Sequence, residues 1–143
     1  MSNQMMKQEI QEAIMAGDRA LRSLRAAKEK LNSAKNWGIV DLLGGGLITD
    51  LIKHSKMRDA SRYLDEARYD LKRFQKELND VDSMVDLNVD MGDFLTFADF
   101  FFDGLVADFM AQSRIADARR KIDDAIGMVE KILVNLRNQY GYW

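Results

Sequence analysis

Residues 41–78 read DLLGGGLITDLIKHSKMRDASRYLDEARYDLKRFQKEL, and residues 99–136 read DFFFDGLVADFMAQSRIADARRKIDDAIGMVEKILVNL. With an offset of 58 positions these two stretches align without a gap, and eleven of the 38 aligned positions are identical. The identical pairs are Asp41/Asp99, Gly46/Gly104, Leu47/Leu105, Asp50/Asp108, Ser55/Ser113, Asp59/Asp117, Ala60/Ala118, Arg62/Arg120, Asp65/Asp123, Ala67/Ala125 and Leu78/Leu136. The sequence therefore predicts an internal duplication.

Each copy carries two apolar stripes that are out of phase with each other. In the first copy, the second stripe steps by three and four residues through Met57, Ala60, Leu64, Ala67, Leu71, Phe74, Leu78, Val81 and Val85. Extended backwards, this stripe does not meet the apolar residues Leu51 and Ile52, so one straight helix cannot place both stripes on one face. We therefore predict a turn near His54 and Ser55, with Ser55 as the N-cap of a helix that begins at residue 56.

The second copy repeats the pattern. Its long stripe runs through Ile115, Ala118, Ile122, Ala125, Val129, Ile132 and Leu136, and the change of phase falls at Ser113. The repetition predicts two copies of one unit, a short helix followed by a turn and a long helix.

The first 35 residues have the periodicity of one long helix. A seam with heptad spacing runs through Ile10, Ile14, Gly17, Leu21, Leu24, Lys28 and Leu31, with flaws at the glycine and the lysine. The basic residues between these positions are interpreted as a solvated helix face.

These patterns predict a single all-α domain over residues 1–143, an elongated helical bundle of three long and two short helices. The long helices are expected at 4–36, 56–87 and 114–138, the short ones at 40–53 and 95–111, the duplicated short–long hairpins at 41–78 and 99–136, and a linker at 86–93. The absence of proline agrees with a chain that is nearly all helix.

Composition and charge exclude several classes of protein. The net charge is −2 and there is no cysteine, so we expect neither nucleic-acid binding nor a disulfide or zinc framework. The N-terminus shows no signal peptide, and no apolar run reaches the ~18 residues that a membrane-spanning helix requires. We expect a cytoplasmic protein.

Two recurring charged pairs, Asp50 with Arg62 and Asp108 with Arg120, are the strongest candidate site residues. Each aspartate lies among apolar neighbours, where an unpaired carboxylate is costly. In an antiparallel hairpin the arginine would reach the aspartate, so we predict two structural ion pairs. The alternative is a carboxylate or metal site at the axis that relates the two copies.

Aromatic residues crowd the predicted fourth helix beyond the width of one apolar stripe. The candidates for an interface are Phe94, Phe97, Phe101, Phe102 and Phe109. They suit core packing, an oligomer interface or, less well, a membrane surface, because the polar positions among them are aspartates rather than lysines or arginines.

The material for catalysis is sparse. His54 is the single histidine and there is no cysteine, so the usual nucleophile–base pairs cannot be assembled. One histidine with Asp50 is also weak for a metal. We expect no enzymatic activity, no cofactor and no resident metal.

The sequence therefore favours a non-enzymatic helical protein that acts by protein–protein interaction or as a scaffold and is homo-oligomeric. One alternative is a peripheral membrane-associated stress or scaffold protein that docks through its short apolar helices. A second is a bundle that binds a metal or a small ligand.

Overall fold

The computed structural model describes the backbone of residues 3–34, 47–82, 94 and 115–142, and the side chains of residues 4–32, 58–82, 94 and 118–141. These ranges form three α-helices and no strand: α1 (Asn3–Ala34), α2 (Leu47–Asp82) and α3 (Ile115–Tyr142). The all-α prediction is confirmed. The predicted linker 86–93 and short helix 95–111 lie outside the described residues, as do residues 40–46 of the other short helix.

The predicted turn near His54 and Ser55 is wrong, because α2 continues through both residues without a break. The stretch 47–53 is the first part of this 36-residue helix, which is about 54 Å long. A change of apolar stripe requires a turn only when both stripes must face the same neighbour. The first copy is therefore not the predicted short–long hairpin.

One apolar core joins the three helices. The buried apolar residues are Ile10, Ala13, Ala20, Leu21, Leu24, Ala27 and Leu31 on α1, Ala60, Leu64, Ala67, Leu71, Phe74, Leu78 and Val81 on α2, and Ala118, Ile122, Ala125, Val129, Ile132, Leu133 and Leu136 on α3, together with Phe94. The predicted seams of α2 and α3 are confirmed at every position whose side chain is described.

The predicted seam of α1 needs a correction. The buried positions that step strictly by three and four residues are Ile10, Ala13, Gly17, Ala20, Leu24, Ala27 and Leu31. Ile14 is instead half-buried beside the core, and Lys28 forms an ion pair on the surface. Alanine adds little to a hydrophobic pattern, but its small side chain allows helices to approach closely. The core of α1 therefore mixes small and large residues, with an uninterrupted run of small ones at Ala13, Gly17 and Ala20.

Helix α1 is the central helix, and α2 and α3 both pack against it. Both run antiparallel to α1. Near the C-terminal end of α1, the Nζ of Lys30 lies 5.2 Å from the ring centre of Tyr63 on α2, and seven residues earlier on α1 Ser23 contacts Asp70, seven residues later on α2. Near its N-terminal end, the Nζ of Lys7 lies 5.0 Å from the ring centre of Tyr140 on α3. Helices α2 and α3 are therefore parallel to each other.

The three helices converge at Gly17. A Cβ atom built on this glycine would lie 2.6 Å from the Cδ2 of Leu133 and 2.8 Å from the Cε1 of Phe74. Both distances are shorter than a van der Waals contact. Leu133 and Phe74 can therefore pack into one notch on the surface of α1 only because residue 17 has no side chain. Gly127 on α3 is the opposite case, since a Cβ there would meet nothing within 4 Å.

We predict that Gly17→Ala and Gly127→Ala change stability in opposite directions. Both replacements gain about 1 kcal/mol of helix propensity, but only the first adds overpacking, which costs about 1–3 kcal/mol. Urea unfolding followed by circular dichroism measures both, and Gly127→Ala is the matched control. Equal stabilisation by the two replacements would contradict the close contact at Gly17.

Candidate functional site

The unbroken helix α2 separates the two members of the first predicted charged pair. Asp50 and Arg62 lie twelve residues apart on it, an axial rise of about 18 Å, which is too far for a direct ion pair. Arg62 instead donates a hydrogen bond of 2.6 Å from Nη2 to the Oδ1 of Asp59, one turn earlier on its own helix. The hairpin geometry from which this pair was predicted is therefore wrong.

The second predicted pair is only partly described. Arg120 is exposed on α3, while Asp108 lies outside the described residues. The side chain of His54 also lies outside them, although its backbone is helical. The structure therefore brings none of the predicted charged or metal-ligating residues together within its described part.

Phe94 is the one member of the predicted aromatic interface that the structure describes, and it belongs to the core. Its side chain is 1% exposed. It packs edge-to-face on Phe74, with ring centroids 6.0 Å apart and ring planes at 76°, an arrangement that aromatic pairs favour. The predicted interface residues Phe97, Phe101, Phe102 and Phe109 lie outside the described residues.

A row of ion pairs follows the contact between α1 and α3. Arg25 binds Glu130 at 3.0 Å, Lys28 binds Asp123 at 2.6 Å, and Asp18 binds Arg137 at 2.7 Å. All six side chains are substantially exposed to solvent, so each pair contributes no more than about 1 kcal/mol. The row does, however, favour the observed register of α3 along α1, because a shift by one helical turn would break all three pairs.

An open groove of about 360 Å³ lies between α1 and α2. Its wall carries Glu12, Met15 and Arg19 from α1, and Arg73 and Glu77 from α2. The groove thus combines acidic and basic side chains with an exposed methionine. Such a lining is complementary to the polar surface of another protein. A small-molecule ligand, in contrast, normally occupies a mostly apolar and enclosed pocket.

A polar contact crosses this helix pair beside the groove. The hydroxyl of Ser23 on α1 donates a hydrogen bond to the Oδ2 of Asp70 on α2. No local sequence pattern indicates this contact, because the two residues are 47 positions apart and only the register of α1 against α2 places them opposite each other.

Three carboxylates meet at the end of α1 that lies against the C-terminal half of α2. Oxygens of Glu9, Glu12 and Glu77 all lie within 4.8 Å of one another. Carboxylates of this kind can offer oxygen ligands to a hard cation, but a surface cluster of acidic residues does not by itself define a metal site, and we assign none.

The cluster has an electrostatic consequence for Glu9. Partial burial raises the pKa of its carboxyl group above the ordinary value of 4.5, and the neighbouring carboxylates Glu12, Asp80 and Glu77 raise it further. Each effect disfavours the charged form. The charged form of Glu9 therefore opposes folding at neutral pH.

Comparison with known proteins gives no relative. No protein-family model, no curated protein and no solved structure matches the chain. Within the described ranges, no helix combines the length and the apolar character needed to cross a membrane.

We predict that Glu9→Gln stabilises the protein at pH 7. A raised pKa in the folded state means that stability falls as the pH rises from the ordinary glutamate value through the raised value. The variant removes this loss, so its advantage should disappear at a pH below 4.5. Thermal unfolding across this pH range measures the effect, with Glu29→Gln as the control, since Glu29 is exposed on α1 outside the cluster. A gain at acidic pH that equals the gain at pH 7 would contradict the prediction.

Proposed function

We propose that this chain is a non-enzymatic helical protein of the cytoplasm that acts by protein–protein interaction or as a scaffold, and that it forms homo-oligomers. The observation that supports this most is the exposure of α2. Among the described helices, α2 packs against α1 alone, and from residue 58 to residue 82 its side chains on the face away from the core are exposed. We propose this exposed face as the surface on which a partner docks.

The arrangement of the core limits the surface to which such a partner can bind. The apolar seams of α1, α2 and α3 are buried against one another. Among the described residues, the exposed large apolar side chains are Met5, Met15, Tyr69 and Val134. A partner of this part of the chain therefore meets a mixed charged and polar surface with scattered apolar side chains, because the seams are buried.

We also propose that the two related stretches arose by internal duplication, although the first of them does not form the predicted hairpin. The parallel direction of α2 and α3 supports this view. The offset of 58 positions carries Phe74 to Ile132, the neighbour of Leu133, and Phe74 and Leu133 meet the same glycine on α1. At this point equivalent positions of the two copies thus lie within one residue of the same height on the central helix.

Light scattering across the micromolar range tests the proposed assembly. We expect a particle of at least twice the 16.4 kDa mass of one chain, with the fraction of oligomer rising with concentration. A clean monomer at every concentration would contradict homo-oligomerisation.

Co-sedimentation with vesicles distinguishes the membrane alternative. The proposal expects the protein to remain in the supernatant with both neutral and anionic lipids. If the protein is a monomer that sediments with vesicles, the proposed interaction protein is wrong and the chain is a peripheral membrane protein.

A further inference from the structure

The outer face of α2 has a charge pattern that reverses about Tyr69. The side chain of Tyr69 is 66% exposed, the largest value among the exposed large apolar residues of the described chain. Asp65 and Glu66 lie three and four residues before it, and Lys72 and Arg73 lie three and four residues after it. All four charged side chains are exposed, and Arg73 lies at the border between this face and the groove against α1.

These two charged pairs are poorly placed to neutralise each other within one chain. Side chains on a helix meet at spacings of three or four residues, whereas Asp65 and Lys72 are seven residues apart, an axial distance of about 10 Å. Glu66 and Arg73 have the same spacing. The acidic and basic pairs are therefore separated by one exposed aromatic ring.

We propose that a second copy of this chain docks antiparallel on the outer face of α2, with the two Tyr69 side chains meeting at a two-fold axis. This inference rests on the homo-oligomer of the proposed function and names its surface. In this arrangement Asp65 and Glu66 of each copy face Lys72 and Arg73 of the other. An interface with two-fold symmetry makes every such contact twice.

The charge pattern selects this orientation over a parallel one. A parallel pair of α2 helices in register would place Asp65 beside Asp65 and Arg73 beside Arg73, and like charges at an interface are costly. The antiparallel pair replaces each of these repulsions by an attraction.

Positions further from Tyr69 show how far the charge complementarity extends. Arg58 and Asp80 lie eleven residues on either side of Tyr69 and are opposite in charge. Arg62 and Lys76, at seven residues on either side, have like charges, but Asp59 already binds Arg62 at 2.6 Å. The complementary part of the interface is therefore centred on Tyr69, with weaker support towards its ends.

An interface of this composition depends on ionic strength. It contains one aromatic contact and several solvent-exposed ion pairs, which salt screens over about 8 Å at physiological strength. We expect a weak dimer whose dissociation constant rises by roughly tenfold between low and high salt.

Charge reversal in one half of the pattern at a time tests the orientation. A basic variant, Asp65→Lys with Glu66→Lys, and an acidic variant, Lys72→Glu with Arg73→Glu, should each be monomeric in sedimentation velocity at concentrations where the wild type is dimeric. An equimolar mixture of the two should form a heterodimer, because every contact across the axis is again between opposite charges. Two misfolded variants could not restore each other in this way, and circular dichroism of each variant checks its helix content.

A disulfide test locates the axis independently, because the wild-type chain has no cysteine. Tyr69→Cys places two thiols at the proposed axis, where mild oxidation should give a covalent dimer. Val134→Cys is the matched control, since Val134 is 56% exposed on the outer face of α3. We expect oxidation to link the first variant at least tenfold faster than the second.

The outcomes separate this inference from the proposed function. A wild-type oligomer whose two charge variants stay dimeric, or whose Tyr69→Cys variant links no faster than Val134→Cys, would overturn the α2 interface and leave homo-oligomerisation standing. A wild type that is monomeric at all concentrations would overturn both.

Discussion

The packing of the described helices depends on the close approach that Gly17 permits. A glycine inside a helix costs about 1 kcal/mol relative to alanine, so its presence in the middle of α1 requires compensation. The compensation is visible in the two side chains that enter its notch, Leu133 from α3 and Phe74 from α2. Phe74 in turn holds Phe94 in the core. One missing side chain therefore fixes the heights of both neighbouring helices on α1.

The remaining polar interactions contribute less to the stability of this arrangement than the packing of the core does. The ion pairs between α1 and α3 are exposed and individually weak, and the half-buried cation–π contacts of Lys7 and Lys30 contribute about 0.5–2 kcal/mol each. They reinforce the direction and the register that the contacts at Gly17 set. Burial of the apolar seams supplies the larger part of the stabilisation, at roughly 25 cal/mol for each Å² removed from water. The charged pattern on α2 that we propose as an interface lies on the surface, outside these buried seams.

The parts of the fold that the sequence predicts well are those where large apolar residues repeat at helical spacing. Leu64, Leu71 and Leu78 on α2 mark a stripe that only one helical face can hold, and the structure buries all three. The seam of α1 was harder to predict, because its tightest positions are alanines and a glycine. In the heptad pattern alone, Gly17 is a flaw. The structure shows that this glycine permits close packing of the helices.

The errors about the site have a different cause. The turn at Ser55 was predicted from a change of stripe, and the pair of Asp50 and Arg62 depended entirely on that turn. Contacts between helices, such as Ser23 with Asp70, depend on a register that no local pattern encodes. The cluster of Glu9, Glu12 and Glu77 arises in the same way, from two distant segments that pack side by side.

A double-mutant cycle between Gly17 and Leu133 tests the central claim most directly. The free energy of unfolding would be measured for the wild type, Gly17→Ala, Leu133→Ala and the double variant. Because Leu133→Ala removes the atom nearest to the new Cβ, the account predicts that Gly17→Ala costs less in that background, with a coupling of about 0.5–3 kcal/mol. Strictly additive effects would show that the two residues do not share the notch.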